Sequence, residues 1–142
     1  METPRKNKHP ERDLQRAIVQ LLRRAYPQIV YNAATNEAQA REDDPAKRMR
    51  FGAARKASGV LSGFPDLTLC LPGGRCIFLE LKAPKGRLSE AQEDVHARLR
   101  ANGHSVYVIR TVDEVVQLLS RQNLYQPRPV QPLHPLAEQV PL

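Results

Sequence analysis

The hydrophobic positions near the start of the chain repeat at helical spacing. The apolar side of this helix is formed by Leu14, Ile18, Leu21, Leu22 and Ala25. Pro10 precedes them and is well placed for a first helical turn. At 100° per residue, Glu11 lies about 20° from Ile18, so its carboxylate falls on the apolar side of the helix rather than toward solvent.

A strand and a second helix follow. Residues 28–32 (QIVYN) predict a short strand, and the polar residues 33–43 have no period, which indicates a loop. Asp44 and Pro45 are typical of an N-cap and a first helical residue. We therefore predict a helix over 45–57.

Two capping boxes mark two further helices. Ser89 with Gln92 opens one of them, and Thr111 with Glu114 opens the other. Residues 105–110 (SVYVIR) predict a strand between the two. With the hairpin described next, the predicted order is helix, strand, helix, hairpin, helix, strand, helix.

The middle of the chain predicts a hairpin with a constrained turn. The β-rich runs 66–71 and 76–82 flank PGGR, whose glycines tolerate the positive φ of a tight turn. Directly opposed residues share a face, so an even loop would pair Leu67 with Glu80 and turn Asp66 away. If Asp66 and Glu80 share a face, the loop must be odd or a strand must carry a bulge.

Chain length and composition bound the class of protein. The 142 residues fit one domain, expected over residues 9–126, with a flexible basic segment at 1–8 and a flexible proline-rich tail at 127–142. Because no apolar run approaches the ~20 residues of a membrane span and no signal peptide is evident, we expect a cytoplasmic protein. Cys70 and Cys76 lack the partners of a zinc site and are expected to be buried thiols.

Charge points to a polyanionic partner. The net charge is +7, with 22 lysines and arginines. The candidate phosphate contacts are Lys47, Arg48, Arg50, Arg55, Lys56, Lys85 and Arg87. A solvated helix face is the alternative for the first five. Contact is favoured for Lys85 and Arg87, because they follow closely after Lys82.

The end of the hairpin carries candidate chemistry. Glu80 and Lys82 are two apart on a strand, so their side chains share a face, and Asp66 can join them across the hairpin. Two converging carboxylates form a hard oxygen site suited to Mg²⁺ or Mn²⁺. Lysine beside it can orient or deprotonate water or oppose charge on a phosphate, as metal-assisted phosphodiester hydrolysis requires. The alternative is an ordinary solvated Glu-Lys pair.

Four segments resemble one family. "ERDLQ", "SGFPDLTL", "FLELKAPKGRLSEAQ" and "LRANGHSVYVIRTVDEV" are similar to the VRR-NUC domains of the PD-(D/E)xK nuclease superfamily. The resemblance implies an α/β, restriction-endonuclease-like core with a small mixed sheet flanked by helices. It also implies a metal-dependent DNA endonuclease, similar to Holliday-junction resolvases of DNA repair, that acts as a homodimer on branched DNA.

The same resemblance assigns site residues. The implied metal ligands are Glu11, Asp66, Glu80 and the backbone carbonyl of Leu81, and the implied catalytic residues are Asp66, Glu80, Lys82 and Gln92.

Several of these side chains have a second interpretation. Gln92 is also explained by its capping box, and Glu11 by the positive end of its helix. Gln15 lies near the same helix face and ranks below Gln92. Asn36 and Glu37 are taken as ordinary loop polarity.

Other function classes find less support. His9, His96 and His104 are expected on the surface and His134 in the tail, so no histidine-based nuclease is indicated. The chain has no phosphate-cradling glycine motif, which argues against a nucleotide cofactor. The alternatives to a nuclease are a non-catalytic DNA-binding module on a nuclease fold and an adaptor that docks through the proline-rich tail.

Overall fold

The computed structural model describes residues 8–34 and 44–124. These residues form helices α1 (Pro10–Ala25), α2 (Pro45–Ala57), α3 (Glu90–Ala101) and α4 (Val112–Ser120), and strands β1 (Val30–Ala33), β2 (Leu67–Leu71), β3 (Arg75–Leu81) and β4 (Ser105–Ile109). The predicted order of elements is confirmed. The interpretations of Asn36, Glu37, His134, the basic N-terminal segment and the proline-rich tail fall outside the described residues.

The four strands form one mixed sheet in the order β1-β2-β3-β4. β1, β2 and β3 are antiparallel neighbours, while β3 and β4 are parallel. A parallel pair needs a crossover connection, which α3 supplies. The predicted α/β fold with a small mixed sheet flanked by helices is therefore confirmed.

One face of the sheet carries the main hydrophobic core. Alternate residues of the hairpin point to this face, where α1 and α4 pack. The fully buried members are Ile18, Leu22, Leu67, Leu69, Leu79, Leu81, Val115 and Leu119. Their burial fixes the register of the hairpin, since a slip of one residue would turn every leucine to the opposite face.

The opposite face is covered over only part of its width. α3 packs beside β4 with Val95 buried, and Phe78 lies edge-on to both Phe64 and His104, with ring centroids 5.6 and 5.5 Å away. Val30 on β1 stays 69% exposed on this face. Glu80 points to the same face as Phe78, so the charged end of the hairpin lies beside α3.

The hairpin turn has the odd length that the sequence requires. Leu71 pairs with Arg75, which leaves a three-residue loop, and both of its glycines have positive φ, 88° at Gly73 and 75° at Gly74. The pairing of Leu67 with Leu79 continues to place Asp66 opposite Glu80. The prediction of an odd loop that brings these two carboxylates to one face is confirmed.

The expectation that the thiols are buried is wrong. Cys70 and Cys76 are both exposed and lie directly opposite each other, with their Sγ atoms 3.5 Å apart. They point to the partly covered face of the sheet, at its uncovered end.

The first capping box forms as predicted, and the second forms only in part. Ser89 and Gln92 exchange both bonds. Thr111 accepts from the backbone N–H of Glu114, but the Glu114 carboxylate accepts from the backbone of Arg110 rather than from Thr111.

The described part of the chain has no helix long and apolar enough to cross a membrane. α2 buries none of its side chains. It leaves the hydrophobic side chains Met49 and Phe51 exposed.

Gly63 is predicted to be intolerant of any side chain. Its φ is +85°, and a Cβ there would overlap the backbone carbonyl of Ala91 in the first turn of α3. We expect Gly63→Ala to lower the free energy of unfolding by about 3 kcal/mol, because backbone strain and overpacking add. Gly59→Ala is the control, since Gly59 has a φ of +93° with open space around it, and should cost about 1 kcal/mol. Urea denaturation measures the free energy of unfolding of both variants. Equal losses of stability would contradict the predicted overlap with Ala91.

Candidate active site

Two carboxyl groups meet at the end of the hairpin. Asp66 lies one residue before β2, and its Oδ2 accepts a hydrogen bond of 2.7 Å from the backbone N–H of Leu81. Its carboxyl group lies close enough to that of Glu80 for each to shift the pKa of the other. The odd loop and the strand pairing therefore bring both acidic groups to one point, as the sequence predicts.

The Glu80 carboxyl group is buried and is contacted at both oxygens. Oε1 accepts from the Gln92 amide at 2.7 Å and lies 3.6 Å from the Lys82 ammonium, while Oε2 lies 3.3 Å from Nε2 of His96. The Glu80 side chain is 1% exposed. The interpretation of Glu80 and Lys82 as a solvated surface pair is therefore wrong.

Burial raises the pKa of both acids. Burial and the nearby Asp66 charge raise the pKa of Glu80 to about 8, against the opposing effect of Lys82. Burial likewise raises the pKa of Asp66, and the charge of Glu11 adds to it, although the bond from Leu81 opposes the shift. Because the pKa of each carboxyl group is raised, the pair can retain one proton between them. A bound cation would offset the repulsion between the two carboxylates when both are ionised.

The donor set fits a divalent cation such as Mg²⁺. Within residues 8–34 and 44–124, no three Asp, Glu, His or Cys side chains surround a common point. Mg²⁺, however, is commonly bound through one or two carboxylates, which Asp66 and Glu80 supply. The N–H and C=O groups of a residue in a strand point the same way, so the Leu81 carbonyl faces the side on which Asp66 lies. That orientation suits the implied role of this carbonyl.

Glu11 reaches the end of β3 from α1. Its Oε1 accepts a bond of 3.2 Å from the backbone N–H of Ala83, and a side chain at Gly86 would contact it. The carboxylate is thus directed toward the site, as its position in the sequence suggests. A direct role in metal binding remains a prediction for Glu11, and Gln15 is half-buried on the same helix.

Gln92 makes both of the bonds that its two interpretations require. Its amide oxygen accepts from the backbone N–H of Ser89 at 2.9 Å and closes the capping box. Its amide nitrogen donates to Glu80. The helix cap therefore orients the side chain that contacts the carboxylate.

His96 is a site residue that the sequence interpretation places wrongly. It is 0% exposed rather than on the surface, and it lies one helical turn after Gln92. Burial lowers its pKa, and the positive charges of Arg100 and Lys82 act in the same direction. The i, i+4 spacing from Gln92 is the one signal in the sequence that could have found it.

Arg110 is a second residue that the sequence analysis missed. It follows β4, and its Nη1 donates to the carbonyl oxygens of Ala83 at 2.6 Å, Gly86 at 2.9 Å and Pro84 at 3.4 Å. These contacts fix the loop that follows Lys82. They are long-range contacts with no local pattern in the sequence.

The candidate phosphate contacts fall into three groups. Lys85 and Arg87 are exposed on the loop that Arg110 holds, next to the site. Arg55 and Lys56 line a cavity of about 510 Å³ between the end of α2 and the start of α3, and Gln92 lines it too. Lys47, Arg48 and Arg50 are exposed nearer the start of α2 and do not line this cavity.

This arrangement defines the class of protein. A mixed sheet that brings paired carboxyl groups and a lysine together at the end of a hairpin is the framework of an α/β nuclease domain. The chain belongs to the VRR-NUC family, because the VRR-NUC domain profile matches residues 9–113.

Individual relatives agree with the family. The chain is 37% identical over 81 residues to the protein named "Putative nuclease p44" of Acyrthosiphon pisum secondary endosymbiont phage 1, a match that covers 51% of this chain and 86% of that protein. A solved "VRR_NUC domain protein" shares the fold with a TM-score of 0.60 and 17% identity, covering 82% of this chain and 89% of that one. A second solved structure, named "VRR_NUC domain", has a TM-score of 0.54 and 20% sequence identity. That match covers 79% of this chain and 96% of the other.

The raised pKa of Glu80 predicts how stability changes with pH when no divalent metal is present. The folded protein keeps the Glu80 proton up to about pH 8, whereas the unfolded chain releases it near 4.5. The unfolded state therefore binds fewer protons between these values, and the free energy of unfolding should fall as pH rises, by up to about 1.4 kcal/mol per pH unit. Urea denaturation in EDTA measures this slope.

Glu80→Gln should flatten that slope, since it removes the proton-binding group. Glu93→Gln, an exposed change on α3, should leave it unchanged. Equal slopes in the parent protein and Glu80→Gln would contradict the assignment of the buried proton to Glu80.

Proposed function

We propose that this protein is a divalent-metal-dependent DNA endonuclease that hydrolyses phosphodiester bonds. The observation that carries the proposal is the convergence of Asp66, Glu80 and Lys82 at one buried point of a VRR-NUC fold. The nuclease name of the phage relative supports the reaction class. The raised pKa of the two carboxyl groups, caused first by burial and then by nearby negative charge, supports the metal, because a bound cation would favour their ionised forms.

Each residue has a role in the proposed reaction. Asp66, Glu80 and the Leu81 carbonyl would hold the ion, which when bound supplies Lewis-acid activation of water and of the phosphate. Lys82 lies where its ammonium can orient the attacking water or oppose the negative charge that develops on the phosphate. Gln92 holds Glu80 in place through its amide.

The proposed substrate path follows basic residues that are exposed or half-buried. Lys85 and Arg87 flank the site on one side. Arg55 and Lys56 line the cavity near the end of α2, and Gln92, which contacts Glu80, lines the same cavity. Contacts of this kind bind the phosphate backbone and do not read base sequence. We therefore assign selectivity to the shape of the DNA.

Branched DNA and a homodimer belong to the same proposal. They come from the resemblance to junction resolvases. A two-fold dimer would supply two sites, and a four-way junction offers two strands in equivalent positions. Incubation with labelled single-stranded, duplex, flap and four-way DNA, together with the mass of the particle in solution, tests both points.

Substitutions at the site should separate chemistry from folding. We expect cleavage by the parent protein only with added Mg²⁺ or Mn²⁺. Asp66→Asn, Glu80→Gln and Lys82→Met should each lower the rate at least about 100-fold, since each removes a group that would hold the ion or act on the phosphate in the proposed reaction. Labelled four-way DNA provides the assay, and circular dichroism confirms the fold. Exposed Glu93→Gln is the matched control and should cleave normally.

The same assay tests the alternative. A protein that binds four-way DNA tightly but cleaves no member of the panel with either metal would be the non-catalytic DNA-binding module. Unchanged cleavage by Glu80→Gln would overturn the proposed mechanism.

The salt dependence of binding tests the DNA path. Lys85→Glu with Arg87→Glu should weaken binding and reduce the slope of log affinity against log salt by about 2, because each lost phosphate contact releases about one fewer counterion. Arg23→Glu with Arg24→Glu, at the far end of α1, is the matched change of charge and should alter the slope less. Fluorescence anisotropy without divalent metal measures the affinity of both double variants and of the parent protein. If Lys85→Glu with Arg87→Glu has the same salt slope as the parent, the DNA binds elsewhere.

A further inference from the structure

His96 is an energetically unfavourable residue for the position that it occupies. The ring is 0% exposed, and Nδ1 has no hydrogen-bond partner within the described residues. A buried polar atom without a partner costs roughly 1–3 kcal/mol, so an apolar side chain of similar size would suit the packing better. Among the residues that the structure describes, the ring makes its polar contact with Glu80, at 3.3 Å. Packing alone does not explain a histidine here.

The direction of that hydrogen bond follows from the chemistry of the acceptor. An ionised carboxylate can only accept, so when Glu80 is ionised the Nε2 atom of His96 carries the proton and donates it. The ring is then neutral with Nδ1 unprotonated. Arg100 and Lys82 lie close enough to disfavour a positive charge on it.

We propose that His96 is a positioning residue that fixes the Glu80 carboxylate for metal binding, an inference that rests on the proposed function. Gln92 holds Oε1, and His96 holds Oε2 from one helical turn further along α3. A carboxylate held at both oxygens by one rigid helix cannot rotate about its terminal bond. Its lone pairs therefore keep one direction relative to Asp66. His96 itself is too buried to touch DNA.

Three variants separate this role from a structural one. His96→Leu removes the donor and keeps an apolar side chain, and His96→Gln restores an N–H near the position of Nε2. His104→Leu is the matched control, because His104 also stacks on the sheet through Phe78 but is exposed and lies outside the carboxyl cluster.

We expect stability and function to change in opposite directions. In EDTA, His96→Leu should be at least as stable as the parent protein, because it removes the unpartnered Nδ1. It should bind Mn²⁺ about tenfold more weakly by calorimetry and show a kcat about tenfold lower with the KM for DNA unchanged. His96→Gln should recover most of both losses, and His104→Leu should match the parent.

A readout independent of metal and DNA completes the test. Nitrogen NMR of the histidine rings in alkaline solution, where Glu80 is ionised, should show His96 with its proton on Nε2. A proton on Nδ1 would overturn the inference. So would His96→Leu with parental Mn²⁺ affinity and kcat, or stability and activity that fall together without recovery in His96→Gln. If the parent protein neither binds Mn²⁺ nor cleaves DNA, the proposed function fails, whereas the NMR result still decides whether His96 donates to Glu80.

Discussion

The buried contact between the carboxyl groups of Asp66 and Glu80 is the constraint on which the rest of the site depends. A buried carboxyl group such as Glu80 beside a half-buried one such as Asp66 is costly unless each is hydrogen-bonded or a charge offsets them. The fold supplies a backbone N–H from Leu81 to one of them and an amide from Gln92 to the other, with Lys82 beside the pair. Burial, together with the remaining repulsion from Asp66, raises the pKa of Glu80.

The same alternation of side chains that builds the core also builds this contact. Leu67, Leu79 and Leu81 are buried on one face, so Asp66 and Glu80 are forced to the other. A regular hairpin with an even loop would pair Leu67 with Glu80 and would split both the leucines and the carboxyl pair between the two faces. Stability thus specifies the register, and the register specifies the site.

Much of this could be predicted from local pattern. Capping residues bounded α3, and the glycine pair allowed the odd turn that Asp66 and Glu80 require. These features depend on neighbours in the sequence, which is why local rules identify them.

Contacts between distant elements could not be predicted in the same way. The burial of His96 has no local signal, because α3 buries only Val95 and His96 and so carries no broad apolar stripe. The exposure of Cys70 and Cys76 could not be predicted either, because a strand pattern does not tell how far a helix covers the sheet. Arg110 donates to carbonyl groups about 25 residues earlier, which no period in the sequence records.

The position of α3 links the helix boundary to the chemistry. Its capping box fixes the amide of Gln92 at the N-terminus, and Gly63 lets the preceding backbone pack closely against the first turn. One helical turn later, the same face presents His96 to Glu80. A shift of α3 by a single residue would rotate both side chains by about 100° away from the carboxylate. The cap and the glycine contact, although distant from any reacting atom, therefore determine the geometry of the site.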